Sequence, residues 1–305
     1  MTSRPYLDYA TWMSGLFSFK VQILPLNIGL TCPNRDGTLG YGGCTFCHNE
    51  AFAPAYTQGG DFHRQIEAGK RFFKRKYKRQ HFLPYLQSYS NTYAPADYLA
   101  SVYEEIVGMD DVAGIVIATR PDCVDEPLLD ILARLREKTF VMVEYGIESA
   151  NDRTLAEIHR GHDFECCRKA IRQTADRGIY VGGHVILGLP NEDAEESIRQ
   201  ASVISSLPIH TLKIHHLQII RETVLANSYE KAPFHVYTLQ EFLELVAAYV
   251  ERLRPDIALQ RFVSQVPPRW LIAPRWGVKS QAFSTMLREY MSRHNMYQGR
   301  LWEGQ

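Results

Sequence analysis

Three of the six cysteines of this 305-residue chain stand close together in the sequence and carry its most informative chemistry. Cys32, Cys44 and Cys47 lie on a glycine-rich segment that follows an apolar, strand-like stretch at residues 21–28. Closed zinc sites and cubane iron–sulfur clusters usually take four protein ligands, so three neighbouring thiolates leave one metal position open for a cofactor or substrate. His48 is the nearest further donor, but it directly follows Cys47 and would have difficulty bending back onto the same metal. A structural zinc completed by a distant Cys or His is the alternative that this spacing leaves open.

The composition is that of an intracellular enzyme. The 34 Lys and Arg residues balance the 34 Asp and Glu residues, so the overall charge indicates neither a nucleic acid nor a membrane surface as a partner. Residues 1–18 lack the basic-then-apolar order of a signal peptide, and no apolar run approaches the length that spans a bilayer. We therefore expect a cytoplasmic protein whose cysteines are thiols or metal ligands rather than disulfides.

Short apolar runs alternate with longer amphipathic runs, the pattern of parallel strands joined by crossover helices. Six such units predict an α/β fold, a partial, TIM-like (β/α)6 barrel over residues 1–220, with a C-terminal extension at 221–305 packed on it. A separately folding C-terminal domain is the lesser alternative. The predicted strands are 21–28, 82–89, 114–118, 140–146, 180–187 and 211–219, and the predicted helices are 62–78, 95–108, 127–137, 164–177 and 194–207.

Polar residues follow most of the predicted strands. In parallel barrels the reactive groups gather on loops at the carboxyl ends of the strands, which is where the cysteine segment lies. A single polar residue at a strand end is commonly a turn former. Their repetition around an open metal site indicates an active face made of Ser90, Asn91, Thr92, Thr119, Arg120, Asp122, Glu148, Ser149, Gly188 and Leu189, with His215 and His216 along the sixth strand.

These residues resemble the radical S-adenosylmethionine (SAM) enzymes, whose usual signature is Cys-x3-Cys-x2-Cys. Here eleven residues separate Cys32 from Cys44, and a long first spacing also occurs in the radical core of the Elongator catalytic subunit, which modifies wobble uridines in tRNA. The similarity to that core continues at residues 119–122 (Thr-Arg-Pro-Asp) and 143–149 (Val-Glu-Tyr-Gly-Ile-Glu-Ser). Over nearly the whole chain the sequence is similar to the YhcC/YtqA-type radical SAM family, through residues 32–38, 91–95 and 271–274.

The resemblance implies that Cys32, Cys44 and Cys47 hold a [4Fe–4S] cluster whose fourth iron chelates SAM. A reductant such as flavodoxin or ferredoxin would then drive cleavage of SAM to a 5′-deoxyadenosyl radical that abstracts hydrogen from the substrate. The SAM contacts carried over are Phe46 near adenine; Ser90, Asn91 and Thr92 at the methionine amino group; Thr119; Glu148 and Arg160 at the methionine; and Ile186, Leu187 and Gly188 as an adenine wall. The ordinary alternatives are loop packing for Phe46 and a surface ion pair for Arg160.

Several reactive residues receive no role from the sequence. Glu144 shares a strand face with Glu148 if the strand is regular, and a buried carboxylate needs a partner. Of His215 and His216, at most one should face the pocket if the strand is extended. Adjacent cysteines on a helix are about 100° apart and do not form a standard metal clamp. We therefore expect free thiols at Cys166 and Cys167, with ligands of an auxiliary cluster as the minority alternative. Cys123 stays unassigned.

A strongly basic segment at residues 70–79 holds seven basic residues and no acidic one. On a helix it predicts a phosphate-binding stripe for tRNA. The same pattern is typical of an ordinary helix whose long basic side chains reach solvent while their stems pack on aromatic rings. The residues concerned are Lys70, Arg71, Lys74, Arg75, Lys76, Lys78 and Arg79.

The sequence thus predicts a radical SAM iron–sulfur enzyme, with a wobble uridine of tRNA as the preferred substrate. Radical modification of a small metabolite or of a protein is the first alternative. A metal-dependent RNA-binding protein without catalysis is the second.

Overall fold

The computed structural model describes residues 4–57, 61–74 and 80–304. Strands recur along the described chain, and the fully buried ones are rich in Val, Ile and Leu, as expected where helices cover a parallel sheet. The strands are β1 Val21–Leu26, β2 His81–Leu86, β3 Gly114–Thr119, β4 Phe140–Glu148, β5 Tyr180–Leu187, β6 Thr211–His216, β7 Ile219–Ile220, β8 Ala258–Arg261 and β9 Leu271–Ala273.

Seven of these strands form one parallel sheet in the order β1-β2-β3-β4-β5-β6-β8, and β7 pairs with β9 in a separate antiparallel ribbon. The parallel sheet curls into a half barrel, which confirms the predicted partial TIM-like α/β barrel. The count of six strands is too low, because β8 continues the sheet beside β6, with Lys213 opposite Arg261. Only four residues long and ending in Gln-Arg, β8 is too short for periodicity to reveal. It comes from the region predicted as the C-terminal extension, and the division at residue 220 stays a prediction.

All five predicted helices are present in the described residues, and residues 75–78 of the first predicted helix lie outside them. Several helices begin at an acidic or hydroxyl cap. The side chains of Asp125, Asp163 and Asp193 each accept a hydrogen bond from the third backbone N–H of their helix, and Thr238 forms a capping box with Glu241. The helices are α1 Tyr9–Leu16, α2 Asn49–Phe52, α3 Phe62–Lys74, α4 Ala96–Val107, α5 Glu126–Arg136, α6 Asp152–Glu157, α7 Phe164–Ala175, α8 Ala194–Ser205, α9 Val224–Lys231, α10 Leu239–Val250 and α11 Ser280–Arg293.

The two faces of the curled sheet pack differently. The outer face meets the crossover helices in the main hydrophobic core. On the inner face, Met13 and Trp12 of α1 pack against Leu83, Val116 and Met142, and so fill the amino-terminal end of the half barrel. The inner face toward the carboxyl ends of the strands is thereby left for a cavity. Among the described residues, no helix combines the length and apolarity needed to cross a membrane.

Candidate functional site

A cavity of about 460 Å³ lies at the carboxyl ends of the strands. Its size is within the range of cofactor and small-molecule sites. The sequence placed the active face at this end of the sheet, and the cavity borders the three cysteines and six of the twelve residues predicted for that face. The other six do not line it: Asn91, Thr92, Asp122, Ser149, Gly188 and Leu189. The predicted residues that line it are Cys32, Cys44, Phe46, Cys47, Ser90, Thr119, Arg120, Glu148, Arg160, Ile186, His215 and His216.

The long cysteine spacing is accommodated by a compact loop. The carbonyl of Cys32 accepts a hydrogen bond from the Arg35 N–H (2.8 Å), and the carbonyl of Asn34 accepts one from the Gly43 N–H (2.8 Å). The Asn34 side chain donates to the carbonyl of His159 at 2.5 Å, which ties the loop to the segment after α6. These bonds fold the intervening residues back on themselves, so that Cys32 and Cys44 reach the same cavity.

Two donors lie beside the Cys44 thiol. Asn34 Nδ2 and Arg160 Nη1 each lie 3.6 Å from Cys44 Sγ. Burial and the neighbouring Cys44 thiolate raise the pKa of Cys47 to about 12, so occupation by a metal cluster would have to displace that proton. No three His, Cys, Asp or Glu side chains in the described ranges are grouped to hold a single metal ion. A [4Fe–4S] cluster takes one thiolate per iron, so its ligands need not converge on one point.

The His48 side chain caps a helix and does not take part in the cysteine site. Its Nδ1 accepts the N–H of Ala51 at the start of α2 (3.2 Å), and its ring lies 4.3 Å from that of Trp270. It does not line the cavity, in agreement with the expected difficulty of bending it back beside Cys47.

Arg160 is the central cation beside the cysteines. It is buried, its Nη2 donates to the carbonyl of Gly146 at 2.6 Å, and it lies 3.5 Å from Glu148 Oε1. Gly146 makes this approach possible, because a Cβ there would lie 2.5 Å from Arg160 Nη2 and 2.6 Å from Glu148 Oε1. Arg160 Nε has no hydrogen-bond partner among the described residues. An unpartnered N–H of a charged group suits an anionic acceptor such as a carboxylate.

A second buried guanidinium supports the first. Arg120 forms an ion pair of 2.7 Å with Asp122 and donates from Nη2 to the carbonyl of Arg160 at 2.8 Å. Arg120 lines the cavity, and its buried Nη1 has no hydrogen-bond partner within the described chain. The Thr-Arg-Pro-Asp segment therefore positions Arg160 and adds positive charge beside the thiols.

Four of the predicted SAM contacts lie outside the cavity lining. Asn91 is fully buried and donates to the carbonyls of Leu86 and Ala118, which joins two strand ends. Thr92 reaches the site only through Thr119, whose hydroxyl is 2.6 Å away. Because side chains alternate along β5, Leu187 points into the outer core while Ile186 faces the cavity. Gly188 is packed against Tyr237.

A buried ionic cluster forms another part of the wall, and the sequence did not predict it. Glu144 Oε2 accepts hydrogen bonds from Lys213 Nζ at 2.5 Å and His184 Nε2 at 2.9 Å. Lys213 Nζ also lies 4.0 Å from the centre of the Tyr85 ring, a cation–π contact. Gly182 leaves room for the carboxylate, since a Cβ there would lie 2.8 Å from Glu144 Cγ. Two signals were available: a lysine inside the predicted strand 211–219, and the need of a buried Glu144 for a partner.

Electrostatics in this cluster favour an ion pair. Although burial alone would raise it, the pKa of Glu144 is lowered to about 2 by Lys213 and His184. Burial, followed by the Lys213 charge, lowers the pKa of His184 to about 4. Burial also lowers the pKa of Lys213 to about 8 against the attraction of Glu144. At neutral pH the cluster therefore holds a carboxylate, an ammonium and a neutral imidazole.

Some of the residues to which the sequence assigned no role line the cavity, and others lie in the surrounding fold. His215 and His216 both border the cavity, contrary to strict alternation, and His216 also stacks on Trp276 at 4.6 Å. Glu144 and Glu148 both border it as well, although the pairing of β4 shifts register before Glu148, whose φ is 66°. The unassigned cysteines outside the lining are Cys123, Cys166 and Cys167.

The basic helix departs from the predicted phosphate stripe at its first position. Lys70 is 6% exposed, and its Nζ donates to the carbonyl of Asp110 at 2.7 Å and lies 3.4 Å from Glu67. The helical turn directs this side chain toward the loop before β3, so it is not available to phosphate. Arg71 is exposed. Arg75, Lys76, Lys78 and Arg79 lie outside the described residues, and Lys74 is the last residue of α3.

Comparison with known proteins agrees with this architecture. Residues 26–201 match the Radical SAM superfamily, and residues 209–293 match the Radical SAM C-terminal domain. The chain is 33% identical over 288 residues to protein YtqA of Bacillus subtilis, covering 94% of this chain and 89% of that protein. It is 24% identical over 206 residues to the tRNA uridine(34) acetyltransferase of Methanocaldococcus jannaschii, covering 65% of this chain and 37% of that protein.

A solved structure shows the same fold. The archaeal Elp3 of Methanocaldococcus infernus, with an N-terminal deletion, superposes with a TM-score of 0.69 at 16% identity, over 92% of this chain and 64% of that chain. With the family match over most of its length, a parallel half barrel and three cysteines at its open cavity, the chain belongs to the radical SAM superfamily and is a radical SAM enzyme.

Proposed function

We propose that this enzyme modifies the wobble uridine of a tRNA by radical SAM chemistry. The observation that carries the substrate is the similarity over 206 residues to a protein named for its action on uridine 34 of tRNA. The cavity supports a nucleoside substrate, because the rings of Phe52, Tyr85 and Tyr89 line it. Proteins commonly bind an unpaired base by stacking it on such rings.

The superfamily implies a [4Fe–4S] cluster and SAM, and the donors on the cavity wall fit both. We assign the cluster to Cys32, Cys44 and Cys47. When bound, these cofactors supply a 5′-deoxyadenosyl radical for hydrogen abstraction. Arg160 binds the methionine carboxylate and Glu148 faces the methionine amino group. The reductant, which such enzymes need, is a flavodoxin or ferredoxin.

The apolar part of the wall orients the nucleoside of SAM. Phe46 and Ile186 border the cavity and belong to one hydrophobic cluster beside the cysteine loop. Their packing excludes water from the side of the cavity next to the thiols, which protects a reactive intermediate from side reactions.

Nucleoside analysis of tRNA from a deletion strain tests the substrate. We expect a wobble uridine lacking its final modification, and restoration by the parent gene but not by a Cys44→Ala variant. The purified, reduced enzyme should convert the same tRNA while releasing 5′-deoxyadenosine. Cleavage of SAM together with an unchanged uridine 34 profile in the deletion strain would reject tRNA as substrate and favour a small molecule or a protein.

Arg160→Gln is expected to weaken SAM binding by about 10- to 100-fold, the cost of removing a charge-assisted hydrogen-bond pair. The iron content should be unchanged, because no iron ligand is altered. Equilibrium binding of SAM to the anaerobic protein measures the effect. Arg153→Gln is the matched control, since Arg153 is exposed on α6 and pairs with Glu157. Equal SAM affinity in the Arg160 and Arg153 variants would contradict the assignment.

Removing the positive charges after Lys70 is expected to weaken tRNA binding and to flatten its salt dependence, because fewer counterions are released. Each phosphate that is no longer neutralised should lower the slope of log K against log salt by about 0.9 for a duplex stem. Lys169→Gln with Arg172→Gln, on the outer helix α7, is the control. A slope equal to that of the parent would remove this surface from the tRNA interface. The substituted residues are Arg71, Lys74, Arg75, Lys76, Lys78 and Arg79.

A further inference from the structure

The cavity wall carries two separate sets of charged residues. One set surrounds the cysteines and contains Arg160. The other lies along β4, β5, β6 and β8: Glu144 and Arg261 line the cavity, and Lys213 is buried and paired with Glu144 without lining it. The backbone of Arg261 lies opposite that of Lys213 in the sheet, and its side chain lines the cavity.

Within this second set, Arg261 has no counter-ion among the described residues. Lys213 is paired with Glu144 at 2.5 Å, whereas no ion pair joins Arg261 to any carboxylate that the structure describes. Its Nε is buried and has no hydrogen-bond partner in the described ranges. A buried N–H donor of a charged group is costly without a partner, so the guanidinium is arranged for a group that the chain itself does not supply.

The neighbouring imidazoles cannot fill this role. His184 is already bonded to Glu144. Burial lowers the pKa of His216 to about 3 and that of His215 well below its ordinary value, so both are neutral at physiological pH. With Glu144 and Lys213 cancelling, one net positive charge remains on this wall, at Arg261. Uncharged polar side chains border the cavity beside it: Gln218, Ser264 and Gln265.

We propose that Arg261 anchors an oxyanion of the substrate, a carboxylate or a phosphate, in a subsite separate from the one that Arg160 provides for SAM. The guanidinium fork binds two oxygens of such a group. Fixing the anion at β8 holds the rest of the substrate in the cavity between the two charged sets, next to the bound SAM. This assignment of Arg261 rests on the proposed function in one respect: the anion is taken to be part of the substrate from which the radical abstracts hydrogen.

Saturation-transfer NMR with small probes tests the subsite on the cluster-loaded protein in the presence of excess SAM. The probes are acetate, methyl phosphate and the uncharged acetamide. We expect saturation transfer to at least one oxyanion and none to acetamide. Arg261→Gln should lower the affinity for that oxyanion by about tenfold or more, whereas Arg269→Gln, an exposed arginine outside the cavity, should leave it unchanged. Arg261→Met replaces the Gln variant if thermal melting shows that the latter is unfolded.

Preference for acetate identifies a carboxylate on the substrate, and preference for methyl phosphate identifies a nucleotide phosphate. Absence of binding by both oxyanions, or the same affinity in the parent and the uncharged Arg261 variants, overturns the proposal. The readout needs neither tRNA nor SAM cleavage. A protein that binds the oxyanion through Arg261 but leaves uridine 34 unchanged would therefore retain the subsite and lose only the proposed substrate.

Discussion

Replacing any one of Cys32, Cys44 and Cys47 by Ala is expected to reduce the iron content from about four atoms per chain to near zero and to abolish SAM cleavage. The reason is that a [4Fe–4S] cluster held by two thiolates and exposed in an open cavity lacks the ligands that retain it. Iron analysis and electron paramagnetic resonance of anaerobically reconstituted protein measure the loss. Cys166→Ala is the matched control, because that thiol lies on α7 outside the cavity lining.

A variant that lacks all three cysteines tests the assignment of the cluster ligands. A triple variant with Ala at all three positions should show neither the reduced-cluster signal nor formation of 5′-deoxyadenosine. If a full cluster persisted in it, the ligands would have to be sought among the remaining cysteines, Cys123, Cys166 and Cys167, and the cavity could not be the cofactor site.

Lys213→Met is expected to lower the free energy of unfolding by about 3–5 kcal/mol, which is the usual cost of leaving one partner of a buried ion pair without the other. Glu144 is 1% exposed, and without the ammonium its carboxylate keeps only the hydrogen bond from His184. Chemical denaturation at pH 7 measures the difference. The double variant Glu144→Gln with Lys213→Met should recover most of the stability, since it buries no uncompensated charge. A double variant as unstable as Lys213→Met would indicate poorer packing rather than a broken ion pair.

The pH dependence follows from the pKa of Glu144. In the parent protein the pKa of Glu144 is lowered from 4.5 to about 2. The contribution of the Glu144 carboxylate to the free energy of unfolding is therefore complete above pH 4.5 and is lost as the pH falls through about 2. Without Lys213, only His184 opposes the effect of burial, so we expect the pKa of Glu144 to rise above its value in the parent. The stabilising contribution of Glu144 is then smaller, and it is already lost as the pH falls through this higher pKa. The difference in the free energy of unfolding between the parent and Lys213→Met should therefore increase from acid to neutral pH. A difference that does not change with pH would contradict the ion-pair account.

Local patterns in the sequence were sufficient to predict the class of fold and the position of the reactive loop. Periods of two and of 3.6 residues are local properties, so they revealed six of the seven strands of the sheet and the five crossover helices. The cysteines follow β1 directly, and the parallel topology then requires them to lie at the carboxyl ends of all the strands. Arg160 and Glu148 were found because a motif resemblance marked their positions.

Which side chains meet depends instead on how distant segments pack. Glu144 and Lys213 are 69 residues apart in sequence, and Lys213 is brought beside Arg261 by the register of β6 with β8, a strand too short to show a period. Residue type and helical pattern likewise did not reveal that Lys70 turns inward to Asp110, or that Asn91 joins strand ends. A local pattern specifies the face on which a residue lies but not its partners, and the second charged wall of the cavity exists only through the tertiary packing.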